Sequence, residues 1–323
     1  MGDTDEELLR VNPNRYTLFP LMYPDVFEMY KKAEMANWSA NEIDFSSDCT
    51  DWNLLSSEER YFLENVLAFF AGSDGIVLEN LMVNFSEDVQ IPEARAFYAH
   101  QAYIETVHQE TYAKMIDTLI TDSNRKKELF ESLTSIPIIK TKGDWAFKWM
   151  NRNNNFAKRL FGFIIVEGVF FCSSFCAIFW MKDRNKLRGA LAKSNELISR
   201  DERLHTRFAI LLYSKLKNKC SQITINEIIS EAVQIEIEFI TKSLPCSLIG
   251  MNSTLMIDYV KYVADGILIE MGYTKLYGVK NPFPFMERLD QQGVTNFFEQ
   301  RVSEYKNAST ILIDDKINLT DDF

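Results

Sequence analysis

The chain has 323 residues, 46 acidic against 35 basic for a net charge of −11, and only three histidines. The acid surplus argues against a nucleic-acid footprint or a basic membrane-surface patch, since either needs a cluster of lysine and arginine. Five cysteines, odd in number and without a Cys-x-x-Cys pair, do not make a disulfide framework and point to a reducing compartment. The acidic start Met1-Gly2-Asp3-Thr4-Asp5-Glu6-Glu7 lacks a charged-then-apolar leader, so a cytoplasmic location is expected.

Glycine is scarce and the eight prolines sit at joints, leaving stretches 25–91 and 138–244 free to hold long helices. Residues 1–30 read as an extended N-terminal segment. Ser56-x-x-Glu59 is a capping box that opens a helix running to about Phe85, with Phe62, Val66, Phe69, Phe70, Ser73 and Val77 at helical spacing. Further helices are predicted over Glu93–Thr121, Lys142–Asn151, Phe156–Lys182, Leu187–Lys217, Asn226–Leu244 and Thr254–Met271. Long helices on short linkers predict an all-α bundle with a shared core, spanning residues 31–305. The acidic, aperiodic end, residues 306–323, reads as a flexible tail.

Residues 161–181 carry one charge, Glu167, in 21 positions, and no second segment of the chain reads alike. A membrane span would least tolerate a carboxylate at its middle, so a helix buried on all sides in a large core is the better reading. A carboxylate buried there must be neutral, paired with a base or bound to a metal.

Two of the three histidines follow a glutamate by three residues, Glu105-x-x-His108 and Glu202-x-x-His205, which places each pair on one helix face. Either pair alone reads more readily as a solvated helix contact than as a metal site. His100 has Phe97 at that spacing and reads as structural or surface. Asp74 is an acid set among apolar residues, and Glu79 a polar-face or supporting acid. Together, Asp74, Glu105 with His108, Glu167, and Glu202 with His205 match the ferritin-like carboxylate arrangement, in which four helices aim these groups inward. Four carboxylates offset two divalent ions and leave the imidazoles neutral. The mixed oxygen and nitrogen donors suit iron or manganese better than a closed zinc site.

The segments NWSANEIDFSSD, FFAGSDGIVLENL, VHQETY, VEGVFF, SNELISRDERLH and TNFFEQRVSEY, with the terminal Phe323, together resemble the radical-bearing small subunit of class I ribonucleotide reductases, of the eukaryotic and large-DNA-virus type. The resemblance spans essentially the whole chain. It implies a ferritin-like fold, two iron ions bound by Asp74, Glu105, His108, Glu167, Glu202 and His205, and oxidation of Tyr112 by O₂ to a stable radical. Tyr112 lies one turn after His108; taken alone it is as readily a core tyrosine. Phe171, Phe175 and Ile198 match the apolar shield around that radical.

The resemblance further implies a transfer chain through His108, Asp201 and Trp38 to Tyr305, with Arg200 in the same network. It implies a homodimer, and a large subunit that binds the tail ending at Phe323 and reduces ribonucleotides there. Two positions depart from the family pattern: the Glu167–Glu202 interval is one residue longer than the family's usual spacing, placing an insertion near Asp183–Arg188, and Arg203 stands where glycine is expected. The competing readings are a di-iron oxygenase, which would need neither Tyr112 nor the tail, and iron storage or a catalytically silent scaffold paralogue.

Overall fold

The computed structural model describes residues 5–243 and 245–286. The chain separates into two units at Pro282, and the first carries every element named below. Among the described residues there is no strand. The principal helices are α1 (Pro24–Met35), α2 (Ser57–Asn80), α3 (Pro92–Leu119), α4 (Pro137–Met150), α5 (Phe156–Ile165), α6 (Cys172–Asp183), α7 (Ala190–Ser214), α8 (Gln222–Glu238) and α9 (Ser253–Glu270).

Their boundaries follow local chemistry. The Ser56 hydroxyl accepts from Glu59 N at 3.1 Å, and the Glu59 carboxylate accepts from Ser56 N at 3.1 Å, closing the capping box that opens α2. Proline at the first position starts α1, α3 and α4, where its missing N–H costs nothing. Within residues 1–30, read as extended, helix α1 therefore begins at Pro24. Ser39-x-x-Glu42 caps only a short turn, Ala40–Glu42.

The start of α7 is capped from a distant segment. Asp48 accepts from Gly189 N (2.9 Å) and Leu191 N (2.6 Å), and the Ser47 hydroxyl accepts from Ala190 N (3.1 Å). A Cβ at Gly189 would collide with both Ser47 and Asp48, so this approach requires glycine. The connection before it turns through left-handed Asn185 and Leu187 (φ 59° and 51°), and α7 therefore begins at Ala190, three residues after the predicted start.

The continuous apolar segment Phe156–Asp183 is 94% buried over its most hydrophobic stretch, as a core helix should be. Ser57–Asp88 is also long and apolar enough to cross a membrane, with a mean hydropathy of 1.5 against 2.0, and 61% of that stretch is buried. This corrects the expectation of a single such segment; the acids of α2 are spread widely enough to leave an apolar window.

Between α5 and α6 the winding loosens into a π turn, Val166–Phe170. Looser winding of this kind adds one residue to the turn and re-aims the side chains within it. Gly168 lies inside the turn, where a Cβ would meet Ile267 of α9 at 2.6 Å and Thr206 of α7 at 3.2 Å. The π turn thus packs closely between α7 and α9, where a side chain at position 168 would require Ile267 to shift.

Candidate metal centre

Four stretches converge: α2 supplies Asp74, α3 supplies Glu105, His108 and Tyr112, the π turn supplies Glu167, and α7 supplies Asp201, Glu202 and His205. Asp74, Glu105, His108, Glu167, Glu202 and His205 are each at most 3% exposed. Donor atoms of Glu105, Glu167, Glu202 and His205 all lie within 4.8 Å of one another, as do those of Asp74, Glu105 and His108. Glu105 belongs to both groups.

The cluster is short of hydrogen. Both oxygens of Asp74 and Glu105, Glu167 Oε2, Glu202 Oε1 and His108 Nδ1 have no hydrogen-bond partner despite complete burial. His108 Nδ1 lies 3.1 Å from Glu202 Oε1 and 3.5 Å from Glu105 Oε2, but neither pair is directed as a hydrogen bond. His205 Nδ1 is 3.0 Å from both Glu105 Oε1 and Glu202 Oε2, and only the Glu202 contact is so directed. Unsatisfied acceptors of this number are costly in a protein interior unless a cation receives them. Two donor groups sharing one carboxylate, with oxygen and nitrogen donors and no thiolate, suit a pair of divalent ions.

Electrostatics agree with that reading. Burial, then repulsion from Glu105, pushes the Asp74 carboxyl well above its ordinary range, and burial followed by Glu202 does the same to Glu167. Burial would raise Glu202 too, but the close approach of Glu167, His108 and His205 outweighs it and holds Glu202 low. Burial would lower the imidazoles, yet Asp201, Glu105 and Glu202 raise His108 well above its usual value, and Glu105 with Glu202 push His205 up to about 9. Protons therefore substitute for positive charge, and a metal pair would displace them.

Around the six groups lies a supporting ring. Asp201 Oδ2 accepts from the Trp38 indole at 2.7 Å and faces His108 Nε2 at 3.2 Å, while Oδ1 accepts from Arg200 at 2.7 and 3.0 Å. With Nε2 on Asp201, His108 presents Nδ1 to the cluster. Burial would raise Asp201, but Arg200 and His108 hold it below the ordinary carboxylate range. Trp38 is buried and stacks on His108, ring centroids 6.0 Å apart.

Tyr112 is 2% exposed, and its ring stacks on Phe70 at 4.8 Å. Phe70 in turn stacks on Phe171 and Phe175 at 5.7 and 5.0 Å. Ile198 is buried one turn before Glu202. Burial, reinforced by Asp74 and Glu202, pushes the Tyr112 phenol well above its usual value, so it is held neutral.

The structure brings together every described residue of the expected set; Tyr305 and the tail ending at Phe323 lie outside the described residues. Glu79 is exposed on the polar face of α2. His100 is half-buried, edge-on to Tyr30. Gln101 escapes the sequence reading: it is fully buried and donates to Glu167 Oε1 at 3.1 Å. Its place one turn before Glu105 is the available signal. Phe70, read from sequence only as core, is the ring in direct contact with Tyr112.

A family model described as ribonucleotide reductase, small chain, matches residues 15–282. Over 306 residues the protein is 51% identical to a ribonucleoside-diphosphate reductase small chain of Arabidopsis thaliana, covering 94% of its own length and 92% of that relative. It is 49% identical to the small chain of Vaccinia virus (strain Ankara), covering 96% and 97% respectively. Among solved structures, the ribonucleotide reductase Rnr4 homodimer from Saccharomyces cerevisiae superposes with a TM-score of 0.82 at 35% identity, over 94% of this protein and 93% of that one. Streptococcus sanguinis dimanganese(II)-NrdF shares the fold, with a TM-score of 0.76 at 18% identity, over 87% and 98%. With most of its length matched by the family model and half its residues shared with curated relatives across nearly their whole length, the chain belongs to the ribonucleotide reductase small chain family.

Proposed function

We propose that this chain, the small subunit of a ribonucleoside-diphosphate reductase, generates and stores an oxidising equivalent on Tyr112 for use in a separate large subunit. The observation that carries this reading is the convergence of six buried ligand-type groups, most with orphaned donor atoms, beside a fully buried tyrosine. Asp74, Glu105 and His108 would hold one ion and Glu105, Glu167, Glu202 and His205 the other. Two iron(II) ions in that site, on reaction with O₂, supply a one-electron oxidant; manganese is the other candidate on donor chemistry.

Tyr112 is held as a neutral phenol, so losing an electron entails losing its proton as well. The stack of Phe70, Phe171 and Phe175 keeps water and reductants from the ring. Trp38, Asp201 and His108 form a continuous polar path leading away from the centre, with Arg200 fixing the far oxygen of Asp201. Tyr305 and the C-terminal tail would continue that path and dock the large subunit, where ribonucleotides are reduced to deoxyribonucleotides. A homodimer is the proposed assembly. A cytoplasmic location accords with five free cysteines.

Loading the metal-free protein with Fe(II), admitting O₂ and recording its EPR spectrum tests the reading. A tyrosyl radical is expected, lost in Tyr112→Phe while the metal content is retained. A di-iron signature with no radical in the unmodified chain would exclude the mechanism. Parallel loading with Mn(II) distinguishes the two metals.

A further inference from the structure

A second buried polar cluster lies on the other side of the π turn. Lys142 of α4 is 2% exposed, and its ammonium meets Glu236 Oε2 of α8 at 2.6 Å. Glu236, fully buried, also accepts from the Ser173 hydroxyl in the first turn of α6. The Lys142 ammonium donates to the backbone carbonyl of Phe170 at 3.1 Å and sits over the rings of Phe69 and Phe239, 3.8 and 3.6 Å from their centroids.

Nothing in this cluster belongs to the metal centre, yet two of its bonds land on the segment just after Glu167, one on the Phe170 carbonyl and one on the Ser173 hydroxyl. Phe170 closes the π turn that contains Glu167, and Ser173 lies in the first turn of the α-helix that follows. A wider turn inside an otherwise α-helical, wholly apolar segment offers carbonyls that regular winding would satisfy, and buried carbonyls need a donor. Lys142 is that donor for Phe170. Glu236 neutralises it and ties the next turn through Ser173, so one ion pair grips the chain on both sides of Phe171.

We infer that Lys142, paired with Glu236, is a positioning residue that holds the π turn open and thereby sets where the Glu167 carboxylate stands. The inference rests on the metal-centre reading above. An apolar pair of similar volume would fill the same space without leaving a buried charge unmatched, and the segment would be free to rewind toward a regular helix, carrying Glu167 away from Glu202 and His205.

The test uses Co(II) alone as probe on the full-length metal-free protein, reading affinity and visible ligand-field bands. In Lys142→Met/Glu236→Leu, Co(II) affinity at the site containing Glu167 is expected to fall at least about 10-fold, the usual scale for losing a ligand's support. Its absorption bands should shift while helical circular dichroism is kept. Lys142→Gln/Glu236→Gln keeps an uncharged donor for the Phe170 carbonyl and should recover most of that affinity. Ser173→Ala, a milder change that leaves the ion pair, should give a smaller loss in the same direction and serves if the double variants fail to fold. Unaltered Co(II) affinity and spectrum in the folded Met/Leu variant, or in Ser173→Ala alone should the double variants not fold, would overturn the inference. So would a Gln/Gln variant no better than Met/Leu. Failure of the unmodified protein to bind two Co(II) ions would instead overturn the metal-centre reading.

Discussion

Two clusters of buried charge lie either side of the segment Val166–Ser173, and they are built on opposite principles. The Lys142–Glu236–Ser173 cluster carries equal charges, and its ammonium and one carboxylate oxygen find partners within the protein. The cluster of Asp74, Glu105, Glu167 and Glu202 has carboxylates in excess and orphaned donor atoms. Both are as dry as any part of the core. The contrast separates polar groups that hold the fold from polar groups that burden it until a ligand arrives.

The sharpest way to break that comparison is to remove one member of each in the metal-free protein. Lys142→Met leaves Glu236 buried without its counter-charge, and should cost about 3–5 kcal/mol of stability in urea unfolding. Glu167→Gln removes a carboxylate that burial and Glu202 already resist ionising, and should leave stability unchanged or higher. A large loss in Glu167→Gln would mean that the carboxylate cluster is satisfied without metal.

A smaller effect follows from pH. Asp74, Glu167, His108 and His205 all bind protons more tightly in the folded protein than in the unfolded chain. Stability from a raised group is complete below its unfolded value and is lost as pH rises through its folded value. Glu202 and Asp201, held low, act in the opposite sense only below the ordinary carboxylate range. The metal-free protein should therefore lose stability between pH about 5 and the folded value of about 9 for His205. Loaded with divalent ions, whose binding displaces protons, the slope should reverse. Thermal unfolding across that range, with and without Mn(II), checks both signs.

The smallest effect concerns a carboxylate satisfied by a single short segment. Glu6 is buried and accepts from Lys217 N (2.9 Å), Asn218 N (2.8 Å) and the Asn218 amide (2.9 Å). Burial would raise it, but these bonds outweigh burial and hold it low. Its contribution is present above the unfolded carboxylate value and lost as pH falls through the folded one. Acidification below pH about 4 should lower the hydrogen-exchange protection factors of the Lys217 and Asn218 amides before those of the helices, and Glu6→Gln should do so at neutral pH.

The metal centre is legible in the sequence because its signals are local. Glu105-x-x-His108 and Glu202-x-x-His205 need only helical spacing, and Glu167 stands out as one acid in an apolar run. What supports the centre is not legible, for the opposite reason. Lys142 and Glu236 are 94 positions apart in the sequence and share no motif. Asp48 caps a helix that begins more than a hundred residues later. No periodicity announces a π turn, since a single added residue leaves the apolar pattern nearly intact. The start of α1 escapes because a proline marks a joint without saying whether a helix begins there, and Tyr23 supplies no side-chain cap to announce one.

The π turn has a consequence in the currency of mutation. A deletion of one residue within Val166–Phe170 would favour regular helical winding and leave composition and apolarity almost untouched. By ordinary measures of helix quality the shortened sequence would be the better one. The helical stretches on either side would keep nearly their present phase, because the turn already absorbs the extra residue, but the side chains within it, Glu167 among them, would no longer be aimed at the centre. Reading frames and helix propensities would register an improvement where the protein had lost its purpose.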